Sequence, residues 1–322
     1  MTDTISYDYS SQAQQEQHQS IKAQLIHHFL RLDMRCILLI DATILRCRNN
    51  KPELIDALES RGVIKIPVAP QYLTDEFFPW LISLDLSLPE DVLILDESLR
   101  LALSEIEPQQ IKNGSGRLIS GWLASNASAE ETALHIGKSA LQSNNEKDIL
   151  LRYYDPAVAL LLWGILDSWQ KQRLMGPVTG WLTVDGDGQL IKRTGLEQQT
   201  VQMSHSISLS PECWRDIKLI TAINSILCDY RQENINELRL GELSVLQKVL
   251  PALKRASNYS FWKKSDLTAY GMHALMISSD FDLHPDILRR LKIECSKQDP
   301  SYLDAIATVS ETLWEKIRTG DH

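Results

Sequence analysis

Asp148-Ile-Leu-Leu-Arg-Tyr-Tyr-Asp-Pro156, continued by Ala-Val-Ala-Leu-Leu-Leu-Trp-Gly-Ile-Leu over 157–166, is a strand-like run that turns into an apolar helix. Asp155 supplies a carboxylate that accepts from the free N–H groups of a first helical turn. Pro156, which has no N–H to lose, suits the first helical position. The spacing predicts a helix that stops at Gly176-Pro177, because glycine closes a helix end and proline cannot extend it. Val178 to Val184, the turn Asp185-Gly-Asp-Gly188 and Gln189 to Lys192 then read as a hairpin. A strand, a helix and a hairpin in this order imply a sheet with helices laid on it.

Working outward, residues 12–32 are helix-compatible, with Ile21, Leu25, Ile26, Phe29 and Leu32 at three- and four-residue spacing. Cys36-Ile-Leu-Leu-Ile-Asp41 is a short, continuously apolar run of the kind that forms a buried strand. A helix over Pro52 to Ser60 stops at Gly62, strands are expected at Val63 to Val68 and Trp80 to Leu86, and a helix at Pro89 to Glu105. Asn113-Gly-Ser-Gly116 reads as a loop before a strand at Arg117 to Ala124. Ser128 and Glu131 form a capping box for a helix that runs to about Leu141, and Asp148 to Tyr154 reads as a strand. After about residue 207 the strand signals fade. Ile220, Ile223, Leu227 and Tyr230 step as a helix does, as do Leu303, Ile306, Leu313 and Ile317 if Ser310 fills the skipped turn. Leu238 to Ala256, Ser265 to Ser278 and Pro285 to Cys295 complete about five helices. The expected architecture is an α/β domain over residues 1–203, a mixed sheet with flanking helices, followed by an all-α helical domain over residues 204–322.

The chain has 322 residues, 43% of them hydrophobic and 23% charged, with 14 Gly and 12 Pro, which excludes global disorder and fibrous repeats. Its 33 Lys and Arg against 42 Asp and Glu give a net charge of −9, unsuited to a general nucleic-acid binder. Residues 1–203 carry 18 basic and 26 acidic side chains, and residues 204–322 carry 15 and 16, so the acidity lies in the first domain. Cys36, Cys47, Cys213, Cys228 and Cys295 are scattered and odd in number, without a C-x-x-C, and read as reduced thiols. Ala157 to Leu166 is too short to span a membrane, and the first residues have neither a basic start nor an apolar core. A cytoplasmic protein without membrane insertion is expected.

Chemistry-bearing patterns are sparse. Asp185-Gly-Asp-Gly188 resembles the start of a calcium loop, but Gln189 and Leu196 stand where that loop needs further ligands, so a turn is the better reading. His27 and His28 are adjacent and face different ways on a helix, poor geometry for a metal pair. The sequence has no P-loop, G-x-S-x-G, H-E-x-x-H or G-x-G-x-x-G. No catalytic residue, cofactor or metal is therefore expected. A hydrolase with an unrecognised Cys or Ser nucleophile is one alternative, with Cys36 or Cys47 near His27, His28 or His135 the imaginable pairs. A nucleic-acid module is another, built on segment 254–264, where Lys254, Arg255, Lys263 and Lys264 interleave with Tyr259, Phe261 and Trp262. A solvated face or a rim for protein binding is the plainer reading of those cations and of Arg289-Arg290-Lys292.

Arg152-Tyr-Tyr-Asp-Pro156, an apolar helix, then Gly176-Pro-Val-Thr-Gly-Trp181 resembles the hallmark segment of type VI secretion effector adaptors, the Tap/Tec-type chaperones. Leu38-Leu-Ile-Asp-Ala42, Phe78-Pro-Trp-Leu-Ile-Ser-Leu84 and Gly121-Trp-Leu-Ala-Ser125 fit in the same order, so the resemblance covers about residues 36–190. Ala157 stands where family members often have a basic residue, and Phe78 where they often have glycine. The resemblance implies a non-enzymatic cytoplasmic protein that binds a toxic effector, through an N-terminal or apolar helical segment of it, and loads it onto the VgrG spike. No nucleic-acid partner is implied. Arg152, Tyr153, Tyr154, Asp155, Pro156, Gly176, Pro177 and Trp181 would form the structural centre of the scaffold. Tyr259, Phe261, Trp262, Lys263 and Arg289, in the variable helical domain, are the candidates for holding a partner.

Overall fold

The computed structural model describes residues 3–31, 35–44, 53–107, 110, 116–144, 147–196, 204–233 and 240–320. Cys47, Pro52 and most of the Asn113–Gly116 loop lie outside these described residues. The chain divides into two compact units, one of residues 1–159 and 166–208, the other of residues 160–165 and 209–322.

The first unit holds a six-stranded sheet: β1 (Cys36–Ile40), β2 (Ile64–Lys65), β3 (Trp80–Leu84), β4 (Ile119–Ser125), β7 (Val178–Val184) and β8 (Leu190–Thr194), in the order β2-β3-β1-β4-β7-β8. Every neighbouring pair runs antiparallel, which narrows the mixed sheet expected. A two-stranded ribbon, β5 (Leu141–Ser143) with β6 (Asp148–Leu150), stands apart from it. All five residues of β1 are buried, as a central strand covered on both faces must be. On one face Leu38, Ile40, Ile82, Trp122 and Leu182 pack beneath α1 (Asp3–Arg31), α2 (Glu53–Arg61) and α3 (Pro89–Ser104). Helix α1 contributes Ile21, Leu25 and Phe29, one side chain per turn, to that core. Helix α4 (Ala129–Ala140) packs against β2 and β3, and a Cβ at its Gly137 would come within 2.8 Å of the Pro67 carbonyl oxygen.

Several boundaries differ from those expected. The strand over Val63 to Val68 shrinks to Ile64–Lys65, because Pro67 has no N–H to offer the ladder and Ala69 turns to φ 45°. The strand expected to reach Tyr154 ends at Leu150, where the chain folds into a turn in which the Tyr153 N–H donates to Leu151 O at 2.8 Å. The single helix expected over 156–175 is two, α5 (Pro156–Ile165) and α6 (Ser168–Met175). They part at Asp167, whose carboxylate accepts from Gln170 N at 2.8 Å while the Gln170 side chain accepts from Asp167 N at 3.0 Å. In the turn Asp185–Gly188, Asp185 Oδ1 accepts from Asp187 N at 2.9 Å and Gln189 N at 2.8 Å, so that carboxylate serves its own hairpin.

The second unit is helical: α7 (Pro211–Glu233), α8 (Glu242–Asn258), α9 (Lys264–Met276), α10 (Pro285–Glu294), α11 (Tyr302–Ile306) and α12 (Glu311–Thr319), together with the last six residues of α5. The continuous helix expected through Ser310 is broken there, since Ser310 accepts from Leu313 N at 3.3 Å and starts α12. Two glycines allow close helix approach: a Cβ at Gly271 would lie 2.2 Å from Ile226 Cδ1, and one at Gly164 2.3 Å from Leu246 Cδ2. Tyr270, Phe281 and Tyr302 form an aromatic centre, with rings 4.9 Å apart for Tyr270 and Phe281 and 4.8 Å for Tyr270 and Tyr302. Among the described residues no helix is long and apolar enough to cross a membrane.

Candidate functional site

The turn after β6 and the first turn of α5 present Arg152, Tyr153, Tyr154 and Asp155 together. Arg152 forms an ion pair with Asp41, which follows β1 and whose side chain is fully buried, and lies 3.3 Å from Asp155 Oδ2. Asp41 is held in turn: its Oδ1 accepts from Thr43 Oγ1 at 2.5 Å and Thr43 N at 3.2 Å. Asp155 Oδ1 accepts from Ala157 N at 2.9 Å, which gives the cap the sequence implied and leaves its other oxygen for Arg152. Burial holds the Asp155 carboxyl above the usual range, against the pull of Arg152. One guanidinium thus joins the end of the central strand to the start of α5, across 111 residues of sequence.

The two tyrosines are core residues. Tyr153 is fully buried and meets Trp181 of β7 edge to face, with ring centres 5.8 Å apart at 64°. Tyr154 is 2% exposed, and burial pushes both phenols far above their ordinary range. Trp181 donates to Ser120 O at 3.4 Å, and a Cβ at Gly121 would lie 2.8 Å from its Nε1. Tyr153, Tyr154, Pro156 and Trp181 are therefore buried, with Arg152 and Asp155 half-buried at the ion pair with Asp41. Gly176 and Pro177 serve a neighbouring assembly. Gly176, at φ 50°, ends α6 where a Cβ would fall 2.2 Å from His135 Cε1, and Pro177 O accepts from Asn126 N at 3.1 Å.

His135 on α4 shares a hydrogen bond with Leu174 O through Nε2 at 3.0 Å and is 7% exposed. Burial pushes its imidazole down to about 4, the His205 and Arg173 charges add to that, and the Leu174 carbonyl opposes it. The unfolded imidazole takes its proton near 6.5, so between there and about 4 the unfolded chain binds more protons and acid favours it. The stability of this unit is expected to fall by roughly 3 kcal/mol as pH drops from 6.5 to 4. Urea melts at pH 7 and pH 4.5 check this, and His135→Gln should remove most of that slope.

Asp41 and Gly121 are not among the expected site residues, and His135, imagined beside a reactive Cys, instead bonds Leu174 O in α6. Asp41 had a legible signal, since an acidic residue closing a wholly apolar strand needs a cation. Elsewhere in the unit a cleft of about 410 Å³ is lined by residues that include Arg35, Ile37, Ser83, Ser125 and Ser128. Two of its hydroxyls are committed: Ser125 contacts Thr132 Oγ1 at 2.7 Å and Ser128 accepts from Glu131 N at 3.1 Å. Among the described residues no group of three or more His, Cys, Asp or Glu is placed to hold a metal ion.

The candidates in the helical unit separate. Phe261, expected at a partner surface, is fully buried against Tyr302, with ring centres 5.9 Å apart, and belongs to the core. Tyr259 is half-buried beside it. Trp262 is 60% exposed. A Schellman turn sends these two aromatics opposite ways: Ser260 sits at φ 61°, and Phe261 N donates to Ala256 O at 3.4 Å. Lys263 pairs with Asp299 at 2.7 Å, and Arg289 pairs with Asp286 on the same helix. Lys254 pairs with Asp216 and Arg255 with Asp282, both at 2.7 Å, so with Lys263 three of the four cations of segment 254–264 face carboxylates, which breaks up a basic track.

Residues 73–173 match the model of a family described as "Domain of unknown function (DUF4123)", the effector-adaptor domain of type VI secretion that the sequence resembles. The match takes in Arg152 to Pro156 and ends within α6. No curated protein and no solved structure matches the chain.

Proposed function

We propose, from the premise that residues 73–173 form the adaptor domain of a type VI secretion system, that this chain is a cytoplasmic, non-enzymatic adaptor that binds a toxic effector and loads it onto a VgrG spike. The family match carries this reading. The site geometry supports it, because the Arg152 guanidinium and the Asp41 and Asp155 carboxylates pair with one another and with the chain's own backbone. Such a cluster builds a scaffold and leaves the work to surfaces.

The helical unit is the effector-binding part in this reading, and Trp262 its anchor. A tryptophan 60% exposed offers a large rigid apolar face beside exposed Lys264 and the Lys263–Asp299 ion pair, and tryptophan is among the residue types enriched in binding hot spots. It fits an apolar helical segment of the effector. Trp262→Ala is expected to weaken capture of a cognate type VI effector by tenfold or more, to leave capture of the VgrG spike protein unchanged, and to leave the melting temperature within a degree. Unchanged effector capture would remove Trp262 from the interface. Deleting residues 209–322 is a poorer test. Leu161 and Leu162, 1% and 0% exposed, cluster with the helical unit and would be stripped by the cut.

A further inference from the structure

The segment 204–208 is held in an unusual way. Its four successive carbonyls at 204–207 each accept from a side chain of the first unit. Arg173 donates to Ser204 O and, at 2.9 Å, to Ser206 O; Gln142 Nε2 donates to His205 O at 3.0 Å; Gln170 Nε2 donates to Ile207 O at 3.3 Å. Gln142 Oε1 also accepts from Ile207 N at 3.0 Å, so its amide does what a neighbouring strand's peptide group would do. Gln142 is itself fixed by donating to Ser139 O at 2.8 Å and is 2% exposed. Ile207 is fully buried, while Ser204, Ser206 and Ser208 on either side are exposed.

These contacts read the main chain and one buried aliphatic side chain, with the His205 ring lying 5.5 Å from that of His135. That is the recognition pattern of extended peptides, in which main-chain hydrogen bonds give affinity and one pocket gives specificity. The strap also leaves at a strained residue, Ser208 at φ 50°.

We propose that the surface made by Gln142 of β5 and by Gln170 and Arg173 of α6 is a receptor for an extended segment with one buried aliphatic residue. In this structure it is filled in cis by Ser204–Ser208, and a partner segment of the same chemistry takes that place when the strap lifts. This does not rest on the adaptor reading.

The probe is a labelled peptide Ser-His-Ser-Ile-Ser-Leu, the sequence of residues 204–209, added to the full chain and followed by fluorescence anisotropy. The wild-type chain, whose own strap competes at high effective concentration, should bind it at least tenfold more weakly than the Ile207→Ser variant. Adding Gln142→Ala to that variant should lower binding tenfold, and a peptide with Ser in place of Ile should not bind. Hydrogen exchange on the same chains should show the Ile207 amide opening while β4 and β7 keep their protection. An opened strap without peptide uptake overturns the proposal. So does a strap that stays protected in both Ile207→Ser and Gln142→Ala, or a loss of protection throughout the unit in both, which would make the strap part of the core.

Discussion

Gly121→Ala is expected to destabilise the α/β unit by about 3–5 kcal/mol, enough to unfold it at modest urea concentrations. Gly121 sits in β4 at φ 141°, where an L side chain is strained. A Cβ there would lie 2.5 Å from Leu182 O and 2.8 Å from Trp181 Nε1. Leu182 pairs with Trp122 in the β4–β7 ladder, so its carbonyl cannot withdraw without breaking the sheet near its centre. Trp181 cannot withdraw without unseating Tyr153. Both costs fall on main chain and buried rings, with no flexible side chain to absorb them. Equilibrium unfolding checks this, and a variant that melts within a degree of the parent would show that the strand relaxes freely at this point.

Arg152→Met should cost about 2–4 kcal/mol by leaving the Asp41 carboxylate buried without its cation. Asp41 has no exposed side-chain surface, whereas the Arg152 side chain is 39% exposed, so water screens the pair from one side and the loss falls short of that for a wholly buried pair. Methionine keeps most of the apolar stem, which limits the packing loss. Urea unfolding of the full chain measures it. A change below 0.5 kcal/mol, the range of ordinary surface substitutions, would mean that Asp41 is satisfied by Thr43 alone.

The sequence made the elements legible wherever hydrophobic period, turn chemistry and caps agreed. Cys36–Ile40 is apolar throughout and lies at the middle of the sheet, and Ser128 with Glu131 forms the capping box its spacing implies. The errors share one cause, local signals overridden by side chains of low apparent weight. Asp167 and Gln170 cap a second helix inside an otherwise continuous apolar and amphipathic run, and Ser310 does the same before α12. Pro67 ended a strand whose alternation looked intact. At the site, Arg152 and Asp155 were legible as a cap and a cation, but Asp41 is 111 residues away in sequence and only the fold brings it to the guanidinium. Phe261 and Trp262 are adjacent and alike in composition. Their opposite fates depend on the turn at Ser260, which carries no glycine to announce it.

Arg152-Tyr-Tyr-Asp-Pro156 is a structural tie between the central strand and α5. A double-mutant cycle of Asp41→Ala and Arg152→Met on unfolding free energy tests it most directly. A coupling of about 2 kcal/mol, with the double variant markedly less destabilised than the sum of the singles, is the predicted result. Strict additivity, within about 0.3 kcal/mol, would contradict it.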